Sequence, residues 1–251
     1  MAPLLSVVIP AYNEAANLRA GSLRRVVEYL AAQPYPAEML VVDDGSQDET
    51  AALVETFVRA HPAARLIRGP HRGKAHAVAT GILAADGALV LFSDMDQATP
   101  IDQAARLLPW FERGFDVVIG SRGTLRRNAP LWRRFMSHSQ IVLRNVILGF
   151  SGITDTQCGF KAFRREAGRA IVDRLHVYRP DASRVARGPM VTSGFDVEML
   201  FVAHRLGHRV KEVPVEWDYR RTRRVNLFKD SVRGLRDLLL IRLADWRGAY
   251  R

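Results

Sequence analysis

Cysteine is nearly absent: Cys158 is the single thiol in a chain of 251 residues. One cysteine excludes an intramolecular disulfide and a Cys-based zinc site, and it points to a reducing compartment. Long apolar runs are missing too, since no stretch approaches the roughly 18–20 residues needed to span a bilayer. The N-terminal run Leu4–Pro10 is short, lacks a basic flank and passes straight into a polar motif, so it does not read as a secretory signal. Repeats, low-complexity tracts and Pro/Ser-rich linkers are absent, which favours one integrated unit. The expectation is a protein that does not cross a membrane but can lie on one.

Charge is abundant and uneven. Through Gly120 there are 10 Lys/Arg against 14 Asp/Glu, a net of −4, and from Ser121 onward 27 against 12, a net of +15. A mildly acidic half joined to a strongly basic one suggests an anionic partner gripped by the second half. The pI of 10.6 raises nucleic acid as a candidate. The arginines are not interleaved with aromatics in the manner of a binding module, which argues against it.

The first half alternates short apolar runs with amphipathic stretches. Leu5–Ile9, Met39–Val42, Arg65–Ile67, Ala88–Phe92 and Val117–Ile119 read as buried strands. Ala15–Ala32, Glu49–Ala60, Lys74–Ala85 and Ile101–Glu112 read as the helices between them. The order predicts an α/β fold with a mostly parallel sheet flanked by helices, and ligands gather at the carboxyl ends of such strands. Further on, Leu131–Leu148 reads as a helix ended by Gly149, Thr154–Phe163 as a polar loop or short strand, and Glu166–Leu175 as a helix. Tyr178–Thr192 reads as a basic loop, Phe195–Leu206 as a helix, His208–Tyr219 as a strand, and Leu227–Trp246 as a final helix.

Chemistry-bearing residues sit after the strands. The first ends in Pro10-Ala11-Tyr12-Asn13-Glu14 and the second in Asp43-Asp44-Gly45-Ser46. Carboxylates there serve either as helix caps, as Asp48 can, or as acceptors for the NH and OH groups of a nucleoside. Two adjacent carboxylates also repel unless something neutralises them. After the third strand, Arg68-Gly69-Pro70-His71-Arg72-Gly73-Lys74 combines close backbone approach with cations at a helix start, which suits phosphate. After the fourth comes Ser93-Asp94-Met95-Asp96-Gln97, where alternation in an extended chain puts Asp94 and Asp96 on one side. Two hard oxygen donors so placed can hold Mg²⁺ or Mn²⁺, with diphosphate oxygens and water completing the shell. Cys158 has no base beside it in sequence and reads as packing. The seven histidines form no metal-binding pattern and read as incidental.

These motifs, in this order, resemble the family 2 glycosyltransferases of the GT-A fold. Gly120-Ser121-Arg122, Arg133, Ser137, Asp155-Thr156-Gln157-Cys158-Gly159-Phe160-Lys161, Phe195-Asp196-Val197-Glu198 and Glu212-Val213-Pro214-Val215 extend the resemblance to the dolichyl-phosphate glucose and mannose synthase branch. Ala75-His76 departs from it, since many relatives have glycine directly after the lysine. The resemblance implies that Pro10, Tyr12, Glu14, Asp43, Asp44, Lys74 and Asp94 border the nucleotide sugar, and that Asp94, Asp96 and Gln97 hold the metal. It further implies that Arg122, Arg133 and Ser137 take the acceptor phosphate. The Asp155–Lys161 stretch looks more like the glucosyl branch, which implies UDP-glucose with GDP-mannose as alternative, and a polyprenyl phosphate acceptor.

A phosphate acceptor near neutral pH is already an anion, so a base is optional. An alcohol acceptor would need Asp155, Asp196 or Glu198 as base. A nucleotidyltransferase would also need paired carboxylates and a basic glycine turn, but the motifs beyond Asp155 argue against it. Residues 1–225 are expected to form the catalytic domain, and 226–251 an amphipathic helical extension. In that extension Phe228, Val232, Leu235, Leu239, Leu243 and Trp246 recur at steps of three or four. Such a stripe packs on the core or lies in a headgroup region, with Arg220–Arg224 and the interspersed Arg and Lys drawn to anionic lipid. The expected location is cytoplasmic, peripheral at the cytoplasmic face of a membrane.

Overall fold

The structure is a computed structural model, and it describes residues 3–123, 141–149, 152–179, 193–218 and 227–250. Arg133, Ser137, most of Tyr178–Thr192 and Arg220–Arg224 lie outside the described residues, as does the first part of Leu131–Leu148.

Five strands form as the apolar runs require: β1 Leu5–Ala11, β2 Ala37–Asp43, β3 Ala64–Arg68, β4 Leu89–Ser93 and β5 Val117–Ser121. Two more follow, β6 Phe160–Arg164 and β7 Val210–Pro214. They make one seven-stranded sheet in the order β3-β2-β1-β4-β6-β5-β7. The pairs β1–β2, β1–β4, β2–β3 and β5–β7 are parallel, whereas β6 runs antiparallel to both β4 and β5. The stretch expected to be a polar loop or short strand thus ends in a central strand buried from Phe160 to Phe163. The strand expected over His208–Tyr219 is confined to the edge strand β7, Val210–Pro214, with one further bond from the Val215 amide to the Ser121 carbonyl at 3.0 Å.

The helices are α1 Ala15–Arg19, α2 Ser22–Ala31, α3 Thr50–Ala60, α4 Lys74–Ala84, α5 Ala104–Leu107 and α6 Pro109–Glu112. Helix α7 covers the described positions 141–148, followed by α8 Arg165–Asp173, α9 Ser193–Arg205 and α10 Leu227–Trp246. The single helix expected over Ala15–Ala32 breaks at Gly21, whose φ of 79° is left-handed and opens a new helix. Ile101–Glu112 likewise divides into a 3₁₀ turn, α5 and α6. Gly149, with φ of 69°, ends α7 as expected.

Apolar side chains from both faces of the sheet build two cores. One joins Val8, Val90, Phe92 and Phe163 to α4, α8, α9 and α10, while the other joins Val7, Leu91, Val118 and Phe160 to α2 and Phe111 of α6. Helix α10 enters the first core through Leu238, Ile241 and Ala244. Its other face carries Val232, Leu235, Leu239, Leu243 and Trp246, all exposed, with Trp246 71% accessible. The apolar repeat read from the sequence is therefore the outward stripe of the helix, not its packing face. Among the described residues no helix is long and apolar enough to cross a membrane.

Candidate active site

The carboxyl ends of β1 to β5 and the start of β6 lie at one edge of the sheet, and of the sequence-predicted residues that are described, those following β1, β2, β3 and β4 are there. Asp43 is buried and accepts the Ser46 amide at 3.2 Å. Asp44 is buried and accepts the amides of Arg72 at 2.8 Å and Gly73 at 2.7 Å, with His71 Nδ1 at 2.7 Å. These N–H groups relieve the repulsion between the two adjacent carboxylates. Both oxygens of Asp44 are thus occupied in shaping the 69–74 turn. Gly45, with φ of 71°, lets that turn close, since a Cβ there would lie 2.7 Å from the His71 amide nitrogen. The Tyr12 ring stacks on His71 with centroids 3.8 Å apart and planes 7° apart, joining the β1 and β3 rims. His71 is a part of the site that sequence reasoning set aside. Glu14 accepts Asn17 Nδ2 at 2.5 Å, and Asp48 ties Ala15 to Thr50 through their amides.

Lys74 opens α4 and reaches Asp94 Oδ1 at 2.5 Å. Desolvation disfavours its ammonium, but the charges of Asp94 and Asp196 outweigh that and raise its pKa above the usual lysine range. Asp94 and Asp96 flank Met95 directly after β4, and Asp96 Oδ1 accepts the Ala98 amide at 3.0 Å. Gln97 sits at φ of 50°, an uncommon backbone state for a side-chain-bearing residue. Its Nε2 donates to Ser93 Oγ at 3.1 Å and to the Asp94 carbonyl at 2.9 Å, while its Oε1 is buried with no hydrogen-bond partner. Two carboxylates and an orphaned amide oxygen form a donor set suited to a hard divalent cation. Among the described residues there is no group of three or more His, Cys, Asp or Glu that could hold a metal ion by itself.

Beyond the donor rim lies a layer of ion pairs. The Arg122 fork grips Asp155 with Nε at 2.8 Å and Nη2 at 2.7 Å, and its guanidinium lies 5.6 Å from the centre of the Trp217 ring. Burial alone would push the Asp155 carboxyl up, but Arg122 outweighs it and holds it below the usual carboxylate range. Glu212 of β7 fixes the same loop, accepting the amides of Thr154 at 2.7 Å and Asp155 at 2.9 Å and the Thr154 hydroxyl at 2.6 Å. Arg144 of α7 holds it from the other side through the Ile153 carbonyl. Deeper in, the fully buried Lys161 of β6 donates to Asp196 Oδ1 and to the Cys158 carbonyl, both at 2.5 Å. The ammonium groups of Lys161 and Lys74 lie 5.1 and 5.7 Å from the centre of the Phe92 ring. Cys158 is buried, and desolvation pushes its thiol up, as a packing residue requires.

Glu198 is the candidate base that the structure removes. It is fully buried and bonded to residues 176–178 and Tyr250, because two positions along a helix turn a side chain by about 200° away from Asp196.

A mostly parallel seven-stranded sheet flanked by helices, with acidic and basic glycine turns and an Asp-x-Asp sequence gathered at its carboxyl edge, is the arrangement of a GT-A glycosyltransferase. Two solved structures share the fold across nearly the whole chain. A mannosyltransferase from Pyrobaculum calidifontis in complex with GDP-Man and Mn²⁺ is 23% identical, with a TM-score of 0.56 over 99% of this chain and 75% of its own. Glucosyl-3-phosphoglycerate synthase from Mycobacterium tuberculosis in complex with UDP is 22% identical, with a TM-score of 0.62 over 96% of this chain and 80% of its own. The dolichyl-phosphate beta-glucosyltransferase of Dictyostelium discoideum is 32% identical over 269 residues, which is 98% of this chain and 76% of that protein. The family profile of glycosyl transferase family 2 matches residues 6–171. The chain belongs to glycosyl transferase family 2 and is a glycosyltransferase.

Proposed function

We propose that the enzyme transfers glucose from UDP-glucose to a polyprenyl phosphate of the dolichyl type, in one inverting displacement, while resting on a membrane surface. The acceptor class is carried by the state of the two carboxylates placed to act as bases. Asp155 is held by Arg122 and Asp196 by Lys161. Asp155, whose carboxyl is held below the usual range, is a poor proton acceptor, and the Asp196 oxygen that meets Lys161 is already committed to that bond. An alcohol acceptor would need a base, whereas a phosphomonoester with a second pKa of about 6 brings its own negative oxygen. That oxygen attacks the anomeric carbon, and the bond to the diphosphate breaks with its electron pair leaving on the nucleotide. The names of relatives such as the Dictyostelium enzyme support glucose and a dolichyl phosphate. The GDP-Man bound to the Pyrobaculum enzyme makes GDP-mannose the alternative donor.

Asp94, Asp96 and Gln97 would hold Mg²⁺ or Mn²⁺, which when bound neutralises charge growing on the leaving diphosphate. Lys74, at the start of α4, offers a second positive charge to the same phosphates. Pro10, Tyr12, Glu14 and Asp43 would border the nucleoside. Arg122 would meet the acceptor phosphate through the edge of its guanidinium not used by Asp155, together with Arg133 and Ser137. The outward stripe of α10, interspersed with the exposed Arg233, Arg236 and Arg247, suits an anionic headgroup region. Near such a surface each arginine contributes about 1 kcal/mol.

The test incubates purified enzyme and Mn²⁺ with radiolabelled donors and a short polyprenyl phosphate. Lipid-linked product from UDP-glucose is expected. Product from GDP-mannose alone would move the reading to mannose, and transfer only to alcohols would overturn the acceptor. Vesicle co-sedimentation should rise with anionic lipid content and fall with salt, and equal recovery in the supernatant with neutral and anionic vesicles would refute docking.

A further inference from the structure

Helix α9 carries two carboxylates, two residues apart, that meet different sets of partners. Asp196, in its first turn, pairs with Lys161. Glu198 points the other way, and its fully buried carboxylate is surrounded by donors. Oε1 accepts the amides of His176 and Val177 at 2.8 Å each and the Tyr250 hydroxyl at 2.7 Å, while Oε2 accepts the Tyr178 amide at 2.9 Å. Burying a carboxylate is costly unless its lone pairs are met, and here four N–H and O–H groups meet them.

A second clamp lies one turn earlier. The Tyr178 hydroxyl donates to Asp237 of α10 at 2.6 Å. Asp237 is buried against the start of α9, so closely that a Cβ on Gly194 would lie 2.5 Å from its Oδ2 and 2.7 Å from its Cβ. A carboxylate is favoured beside the first turn of a helix, where amide dipoles point outward. Burial and the Asp237 and Glu198 charges push the Tyr178 phenol up, and burial with Glu198 does the same for Tyr250, so both remain donors across physiological pH.

From this first turn a continuous chain of contacts runs into the donor site. Asp196 holds Lys161, and Lys161 holds the Cys158 carbonyl. The next residue, Gly159, accepts the Asp94 amide at 3.3 Å and lies against the Asp94 carboxylate. We propose that Glu198 and Asp237 are positioning residues for glycosyl transfer: by clamping α9 they set Asp196 and Lys161, and through them the strand start that seats Asp94. This rests on the reading that Asp94 belongs to the donor site. It also makes α10, the helix with the outward apolar stripe, the strut behind the catalytic edge.

Asp237→Asn and Tyr250→Phe weaken each clamp without removing its shape, and both are measured in two ways in the full chain. Turnover per folded molecule should fall about tenfold or more with donor KM within about twofold, as a small misplacement of catalytic groups requires. Hydrogen exchange should quicken both in the first turn of α9 and in the stretch Cys158–Lys161. Unchanged turnover in both variants, or faster exchange confined to α9 and α10, would overturn the proposal in favour of simple structural support. Should the wild-type chain turn over no nucleotide sugar, the functional reading fails, while the exchange comparison still decides whether the clamp reaches β6.

Discussion

Gly159→Ala separates the needs of the fold from those of the chemistry. Gly159 precedes β6, and a Cβ built there would lie 2.5 Å from Asp94 Cγ and 2.9 Å from its Oδ1, with Oδ2 closer still. Carbon–carbon contacts settle near about 3.5–4.0 Å, so the carboxylate must retreat by about 1 Å. The obstructing atoms are the end of a side chain that is 39% exposed, and it can swing away without disturbing the core. The fold should therefore lose little stability. A misplacement of about 1 Å in a catalytic constellation typically costs about 10²-fold in rate, so kcat should fall by that order. The displacement also pulls Asp94 from Lys74 and from the other metal donors, so Mn²⁺ titration in the presence of UDP should shift to higher concentrations. Steady-state kinetics and a urea melt on the same sample read both quantities. A variant with wild-type kcat and Mn²⁺ dependence would refute the placement of Asp94, and one that fails to fold would refute the argument that only a side-chain tip is in the way. Gly81→Ala is the opposite control: its Cβ would run into Val8 Cγ1 in the core, so stability should fall by about 1–3 kcal/mol while turnover per folded molecule holds.

Three further outcomes follow from the site. Asp94→Asn and Asp96→Asn should each lower transfer by about 10²–10³ with the fold intact, and excess EDTA should abolish it; full activity in EDTA would exclude the metal. Lys161→Met leaves Asp196 buried without its partner, which should cost about 3–5 kcal/mol in a denaturant melt, and an unchanged midpoint would show the pair to be dispensable. The Arg122–Asp155 pair holds the Asp155 pKa down, so its stabilisation is complete above the ordinary carboxylate range and is lost only as pH falls through that lowered value. It therefore contributes no limb between pH 5 and 8, and the acid limb of transfer should sit near the acceptor's second pKa of about 6. A phosphonate acceptor, with its higher second pKa, should move that limb upward; a limb that stays put would assign it to the protein.

Much of this was legible in the chain. Asp94, Asp96 and Gln97 could be placed after β4 because an apolar run fixes where that strand ends, and the positions after β1 and β2 follow from the same logic. The expected alternation of an extended chain does not relate Asp94 to Asp96: β4 stops at Ser93 and 94–97 is a turn, closed by the Gln97 amide on the Asp94 carbonyl at 3.1 Å. What escaped reading depends on partners distant in sequence. Phe160–Arg164 carries a lysine at a fully buried position, which reads as polar until Asp196 and the Cys158 carbonyl are seen around it. His71 meets Tyr12 and Asp44, which follow other strands of the sheet and are distant in sequence. Asp44 looks like a ligand-facing acid until the three N–H groups of the 71–73 turn close on it. The period of α10 was clear, but periodicity does not say which face turns inward. The inward face contains Asp237 and Asp245, acceptable there because Tyr178 and the pair Arg205 and Arg242 meet them.

The placement of β6 also governs how the molecule is made. On emerging from the ribosome, β1 to β4 can pair at once, but β5 hydrogen-bonds to β6 and β7 rather than to β4. About forty residues must be synthesised after β5 before β6 arrives, several seconds at about 5–20 residues per second. Through that interval β4 presents an unpaired edge that is apolar from Leu89 to Phe92, the kind of edge that recruits foreign strands. The strand that ends this exposure brings Lys161, and Gly159 just before it, so the nascent chain seats Asp94 and Asp196 in the same event that makes its sheet safe.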